Sequence, residues 1–378
     1  MDTKIDDTVE VNLKKFCTKK NAKILAIGGG KGGVGKTVIA ASLGAGLALS
    51  EKHVVLVDAD LGGANLHAVI GMKKPDRTYY DFYCRDYKRL DDIAVEHPHF
   101  QNLKFISGAV GSLGIANLPF YQKMKFIRHL YEIDADFVIL DLGTGSNYNV
   151  LDFFLAADRG IVVVNPDQLS IYEGFNFMRQ AFFRKMIRIF KDQHGILDII
   201  KKYAREETHK NHHTVDDLIA EVTRMDEVMG KKIVLFLSKY NPMLIINEIR
   251  DSKDEINSLV VRTATRTFLS INMDYLGSIH QDDTVKRSLY AMEPFISFDP
   301  ESRVSKDLIE IIENKILRDD KMDYNPLKWT MVKKDRISCK EERYNNICSI
   351  QCCYWNICEF RKGGYPCELG WKMRVLNN

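Results

Sequence analysis

Gly28-Gly-Gly-Lys-Gly-Gly-Val-Gly-Lys-Thr37 stands near the start of this 378-residue chain and decides its fold. The apolar run Ile24-Leu-Ala-Ile27 leads into it, and an alanine- and leucine-rich helical pattern from Val38 to Ser50 follows. Strand, glycine loop, helix is the order that a phosphate-binding loop requires. Matched to G-x-x-x-x-G-K-[ST], the fixed positions are Gly30, Gly35, Lys36 and Thr37. Glycines let backbone N–H groups turn toward phosphate oxygens that side chains would crowd. Lys36 is placed to reach β- and γ-phosphates, and the Thr37 hydroxyl to hold Mg²⁺. Gly30, Gly32, Gly33, Val34, Gly35, Lys36, Thr37 and Val38 together read as the cradle of a nucleotide.

Outward from the loop, His53-Val-Val-Leu-Val57 is a second buried-strand run, and it ends in Asp58-Ala-Asp60. Acids at the end of a parallel strand project from the carboxyl edge of the sheet, where ligands bind. Phe137-Val-Ile-Leu-Asp141 repeats the form, four apolar residues and an acid, and its aspartate is expected to bind Mg²⁺ through water. Asn102-Leu-Lys-Phe-Ile-Ser107, Gly160-Ile-Val-Val-Val164 and Lys232-Ile-Val-Leu-Phe-Leu237 read as further strands, the second ending in Asn165-Pro166-Asp167. Helical patterns separate them, so a doubly wound α/β fold with a mostly parallel sheet is expected. Residues 73–100 are charged and aromatic and are expected to form short surface elements.

A second lysine, Lys31, follows Gly30 directly, and K-G-G-V-G-K-T resembles the deviant Walker A motif of the MinD/ParA family of ATPases. The resemblance implies that Lys31 reaches the partner's phosphates across a nucleotide-sandwich dimer. Asp58-x-Asp60 with Asn65 is similar to the family's switch segment, which makes Asp60 the residue that positions the attacking water and Asp58 a Mg²⁺-shell residue. Asp141-Leu-Gly-Thr-Gly145 resembles the family's γ-phosphate-sensing loop, and Asn165-Pro166-Asp167 its [TN]-P-[DE] turn. By the same resemblance a polar residue after the 232–237 strand, Asn241, lies against adenine. Met273 to Leu289 and Asn147 to Ala157 are closer in pattern to the FlhG/FleN-type branch. The resemblance covers residues 22–318, with 193–230 as a helical insertion. It implies ATP and Mg²⁺ as ligands, hydrolysis of ATP, an ATP-dependent homodimer, and a protein partner in the positioning of cell-pole, flagellar or other cargo. The alternative is an Mrp-like P-loop carrier of an iron–sulfur cluster or metal. Such carriers place a C-x-x-C near the dimer axis, and this chain has none.

The bulk numbers fit a soluble globular chain with one large domain and an appendage: 45% hydrophobic and 28% charged residues. A net charge of +3 does not point to nucleic acid. No apolar run reaches the length of a spanning helix, and residues 1–21 form a polar arm without a signal-peptide core. A cytoplasmic protein is expected, with a peripheral place at the membrane as an option. The basic amphipathic pattern from Ser170 to Lys191 suits either a membrane surface or packing on the sheet, and packing is the expected use. His209, His212 and His213 lack ligand partners at metal spacing and are read as solvated.

The ATPase domain is drawn over 22–320 and a Cys-rich tail over 321–378. Six of the eight cysteines crowd into Cys339 to Cys367. Thiols this dense in a reducing compartment suggest Zn²⁺ or an iron–sulfur cluster, with Cys348, Cys352, Cys358 and Cys367 as the ligand choice. A small packed lobe without metal and redox-sensing thiols are the other readings.

Overall fold

The computed structural model describes residues 22–60, 63–73, 75–84, 87, 89–108, 120–205 and 214–319. The chain divides into two compact units, Met1–Lys315 and Ile316–Asn378, and the first holds everything described below. Eight strands form one sheet in the order β3-β4-β2-β5-β1-β6-β7-β8. They are β1 (Lys23–Gly28), β2 (Val54–Asp58), β3 (Val95–Glu96), β4 (Leu103–Ile106), β5 (Phe137–Asp141), β6 (Arg159–Val164), β7 (Met243–Ile249) and β8 (Asp274–His280). All neighbours run parallel except the short edge strand β3, which is antiparallel to β4.

Strands covered on both faces read as continuous apolar runs. Accordingly β2 and β5 are buried at every position, and β1 and β6 at all but their first residue. The longer helices are α1 (Lys36–Leu49), α2 (Phe120–Leu130), α3 (Tyr148–Ala156), α4 (Gln168–Ile189), α5 (His194–Arg205), α6 (Val215–Met225), α7 (Glu227–Lys239), α8 (Ser252–Leu269), α9 (Asp283–Ala291) and α10 (Arg303–Ile311). Their starts are set locally. Asp167, Asp226, Asp251 and Asp282 each accept backbone N–H groups at the first turn of α4, α7, α8 and α9. Thr214 and Asp217 close a capping box on α6.

The basic amphipathic stretch is α4. Phe182, Phe183, Met186 and Phe190 are buried in the core, so the packing use holds. Each such aromatic contributes on the order of 1.5–3 kcal/mol of burial. Residues 73–100 form short elements, Tyr79–Cys84, Leu90–Ile93 and Val95–Glu96, as expected, but Tyr79 and Phe82 are fully buried rather than superficial, with Tyr79 edge-on to Phe126 of α2.

The larger correction concerns 232–237. Lys232 to Leu237 lies inside helix α7, and the strand is Met243–Ile249. A short apolar run does not distinguish a buried strand from a helix face. Here Asp226 caps the run, Gly230 and Ile233 turn inward, and Val234 and Leu235 face out at 37% and 42% exposure. The helical lobe that begins at α5 therefore continues through Lys239. Among the described residues no helix is long and apolar enough to cross a membrane.

Candidate functional site: a phosphate loop facing three carboxylates

Residues 29–35 run from the carboxyl end of β1 into the first turn of α1. No side chain caps that helix and no acid occupies its first turn. Its first amides are thereby left to an incoming anion, with the helix dipole favouring negative charge. Gly35 has φ +89°, and a Cβ there would stand 2.4 Å from Asn247 Nδ2. Only glycine satisfies both the left-handed backbone and that contact. Gly32 and Gly33 are exposed, Gly30, Gly35, Thr37 and Val38 half-buried, and Val34 buried.

Lys36 is buried in this loop, its Nζ donating to the Lys31 carbonyl at 3.1 Å. Burial pulls its ammonium below the ordinary lysine value, while Asp141 and Asp60 nearby oppose that fall.

Asp58 and Asp141 are register partners across β2 and β5, and both are buried. Asp58 accepts the Asp60 amide at 3.2 Å and the Leu66 amide at 3.1 Å. Burial pushes its carboxyl up to about 7, with those two hydrogen bonds opposing. Asp141 is raised well above the carboxylate range by burial and by the charge of Asp58, against the Thr37 hydroxyl bond and Lys36. Its Oδ1 is buried with no hydrogen-bond partner. Two buried acids beside a threonine hydroxyl, one with an orphaned oxygen, suit a hard divalent cation that is completed by phosphate and water. Among the described residues no three His, Cys, Asp or Glu side chains form a metal cage by themselves. Magnesium, which keeps several waters, does not require one.

Asp60 accepts the Gly63 amide at 3.1 Å and faces the loop after β5. A Cβ on Gly143 would meet Asp60 Oδ1 at 2.8 Å, so this carboxylate lies directly against the 141–145 turn. Lys31, at the loop's outer side, pairs with Asp167 at 3.0 Å, both partly exposed. Against the cost of its own slight burial, the Ser170 amide and Lys31 hold Asp167 below the ordinary carboxylate range.

Lys36, Thr37, Asp58, Asp60 and Asp141 are thus brought to one place, with the Lys31 side chain turned to Asp167 beside it. Asn241 is not among them. It precedes β7 at the amino edge of the sheet, opposite the phosphate loop, because the strand begins at Met243 rather than at 232. Asn247, near the carboxyl end of β7, stands at the loop in its place and donates Nδ2 to the Val34 carbonyl at 2.9 Å. Glu248 follows with φ +59° at an irregularity between β7 and β8, and it accepts Asn165 Nδ2 at 2.9 Å. A polar residue closing an apolar strand was the available signal for Asn247. Cys348, Cys352, Cys358, Cys367, His209, His212 and His213 lie outside the described residues.

Comparison with known proteins agrees with this geometry. Residues 25–295 match the CobQ/CobB/MinD/ParA nucleotide binding domain. The septum site-determining protein MinD of Buchnera aphidicola is 30% identical over 151 residues, 39% of this chain and 55% of that protein. The antiactivator FleN of Pseudomonas aeruginosa is 27% identical over 186 residues, 49% of this chain and 62% of that protein. The chain thus spans somewhat over half the length of these curated relatives. The solved structure of MinD from Pyrococcus horikoshii, complexed with Mg-ADP, aligns at TM-score 0.54 and 20% identity over 80% of this chain and 99% of that one. That likeness is one of fold. With the family match covering most of its length, this chain belongs to the CobQ/CobB/MinD/ParA nucleotide-binding family.

Proposed function

We propose that this chain is an ATP-dependent dimerisation switch that hydrolyses ATP and acts as a MinD/FlhG-type spatial regulator upon a protein partner. The observation that carries the reading is Asp60 lying against Gly143 while Lys36, Thr37, Asp58 and Asp141 converge beside it. In this reading the amides at the start of α1 and Lys36 bind the phosphates, and Asn247 keeps the loop in shape by holding the Val34 carbonyl. Thr37, Asp58 and Asp141 would hold Mg²⁺, which supplies charge neutralisation on the phosphates. Asp60 orients the attacking water, between the phosphate loop and the turn that follows β5.

Lys31 supports the dimer. Its pair with Asp167 is partly exposed, and pairs of that kind are worth about 0–1 kcal/mol, so a phosphate displaces the carboxylate at little cost. Apolar side chains flank this place. Leu169 and Tyr172 on the first turns of α4 are 57% and 46% exposed, and Ile256 of α8 is 58% exposed. Its neighbour Asn257 ties α8 to this turn by donating to the Pro166 carbonyl at 3.1 Å. A second copy closing over the nucleotide would cover them.

The reading is tested by Mg²⁺-dependent phosphate release from ATP. Wild type is expected to turn over slowly, and Asp60→Ala to bind ATP with unchanged affinity while losing turnover by about 100-fold or more. Turnover in Asp60→Ala at the wild-type rate would overturn the assignment.

A further inference from the structure

A second cluster of charge lies away from the nucleotide site. Asp152 of α3 is fully buried, and three cations converge on it from two other helices. Arg184 of α4 grips it with two bonds of 2.9 Å, from Nε to Oδ1 and from Nη2 to Oδ2. Arg188, one turn further on, donates from Nη1 at 3.1 Å. Lys123 of α2 also pairs with it and donates to Asn149 Oδ1 at 3.2 Å. Against the cost of burial, Arg184 and Lys123 keep the Asp152 carboxyl below the usual range, so it is ionised.

One negative charge therefore meets three positive ones. Asp152 is the sole acid on α2 and α3, and the only acid on α4 is Glu173, about three turns before Arg184. Residues 109–121, which lead into α2, carry no charged side chain at all. Among the described residues no second carboxylate pairs with these three cations, so two positive charges lack an ion-pair partner there where water is partly excluded, an arrangement that is costly unless a counter-charge arrives. The side chains are graded in depth. Lys123 is 5% exposed, Arg184 19% and Arg188 30%, so the cluster meets solvent chiefly at Arg188 and less at Arg184. Tyr148, the first residue of α3, is 67% exposed, with the Arg184 guanidinium 4.3 Å from its ring centroid.

We propose that this α2–α3–α4 surface docks an acidic segment of a protein partner, one carboxylate entering against Arg184 and Arg188 while Tyr148 takes an apolar or aromatic neighbour. Cations graded from 5% to 30% exposed suit a carboxylate side chain that reaches inward from a peptide. A flat bilayer surface would not reach Lys123, and a nucleic-acid backbone would call for a row of exposed cations. Exposed tyrosine and arginine are also the residue types that anchor protein interfaces. This inference does not depend on the nucleotide reading.

Fluorescence anisotropy of the full chain with a dye-labelled Glu-Tyr decapeptide, and with its Gln-Tyr twin, tests it. The glutamate peptide is expected to bind, and the glutamine peptide about tenfold more weakly or worse. Arg188→Gln lowers the cluster's excess charge and should weaken glutamate-peptide binding about tenfold. Asp152→Asn raises that excess and should tighten it, whereas a purely structural hub would show loss. Should either variant fail to fold, Tyr148→Ala on an exposed side chain is expected to weaken binding several-fold with native circular dichroism. Equal binding of the two peptides, or unchanged binding in folded Arg188→Gln, overturns the proposal. So does Arg188-dependent binding to phosphatidylglycerol vesicles with no binding of the peptide.

Discussion

Replacing Asp58 by asparagine should change how stability depends on pH in the nucleotide-free protein. Burial pushes the Asp58 carboxyl up to about 7 from an ordinary 3.8, so the folded chain keeps a proton that the unfolded chain has lost. Its contribution is therefore fully present below the unfolded value and is lost as pH rises through the folded one. Most of the loss that remains above about pH 5 occurs before about pH 8, and for this single group it amounts to about 2–3 kcal/mol. Asparagine does not titrate, so the variant lacks this fall whatever its hydrogen bonds to Leu66 and Asp60 are worth. Removing the Asp58 charge also takes away one cause of the rise at Asp141, which acts in the same direction. Urea unfolding in the presence of a chelator, at about pH 5 and about pH 8, measures the difference by linear extrapolation. Asp58→Asn should gain about 2–3 kcal/mol on wild type between the two conditions. A difference between the proteins that stays constant with pH would refute the reasoning, because it would mean that Asp58 is not a desolvated acid.

Lys36→Ala should weaken ATP binding at least about tenfold by calorimetry, because it removes the buried charge that meets the phosphates. Asn247→Ala leaves the Val34 carbonyl without its partner and should cost about 1–3 kcal/mol, read as a lower melting temperature of the nucleotide-free protein. Nucleotide affinity should fall with it, and a variant unchanged in both would remove Asn247 from the loop's support.

Much of the fold was legible because its central strands are covered on both faces. β1, β2, β5 and β6 announce themselves as apolar runs closed by glycine, an acid or Asn-Pro, and the phosphate loop places them around one edge. The same criterion misassigned Lys232 to Leu237. That run is as apolar as β5, but its inward residues are those of one helix face and its start belongs to the Asp226 cap. The error carried Asn241 into the site and left Asn247 unnoticed four residues inside the true strand. Pairings that join distant positions were out of reach of any local pattern. Asp167 was visible as a turn residue but not as the partner of Lys31, from which it is 136 positions away. Asp152 is a single acid in an otherwise apolar stretch of the sequence, and nothing local to it points to the three cations that α2 and α4 supply.

Sedimentation velocity of the full chain with Mg²⁺ and ATP, with Mg²⁺ and ADP, and without nucleotide tests the switch most directly. The account predicts a dimer with ATP alone, and a monomer under all three conditions for Lys31→Ala, whose lysine no longer reaches a partner's phosphate. A wild type that stays monomeric with ATP, or a Lys31→Ala variant that dimerises as well as wild type, would contradict it.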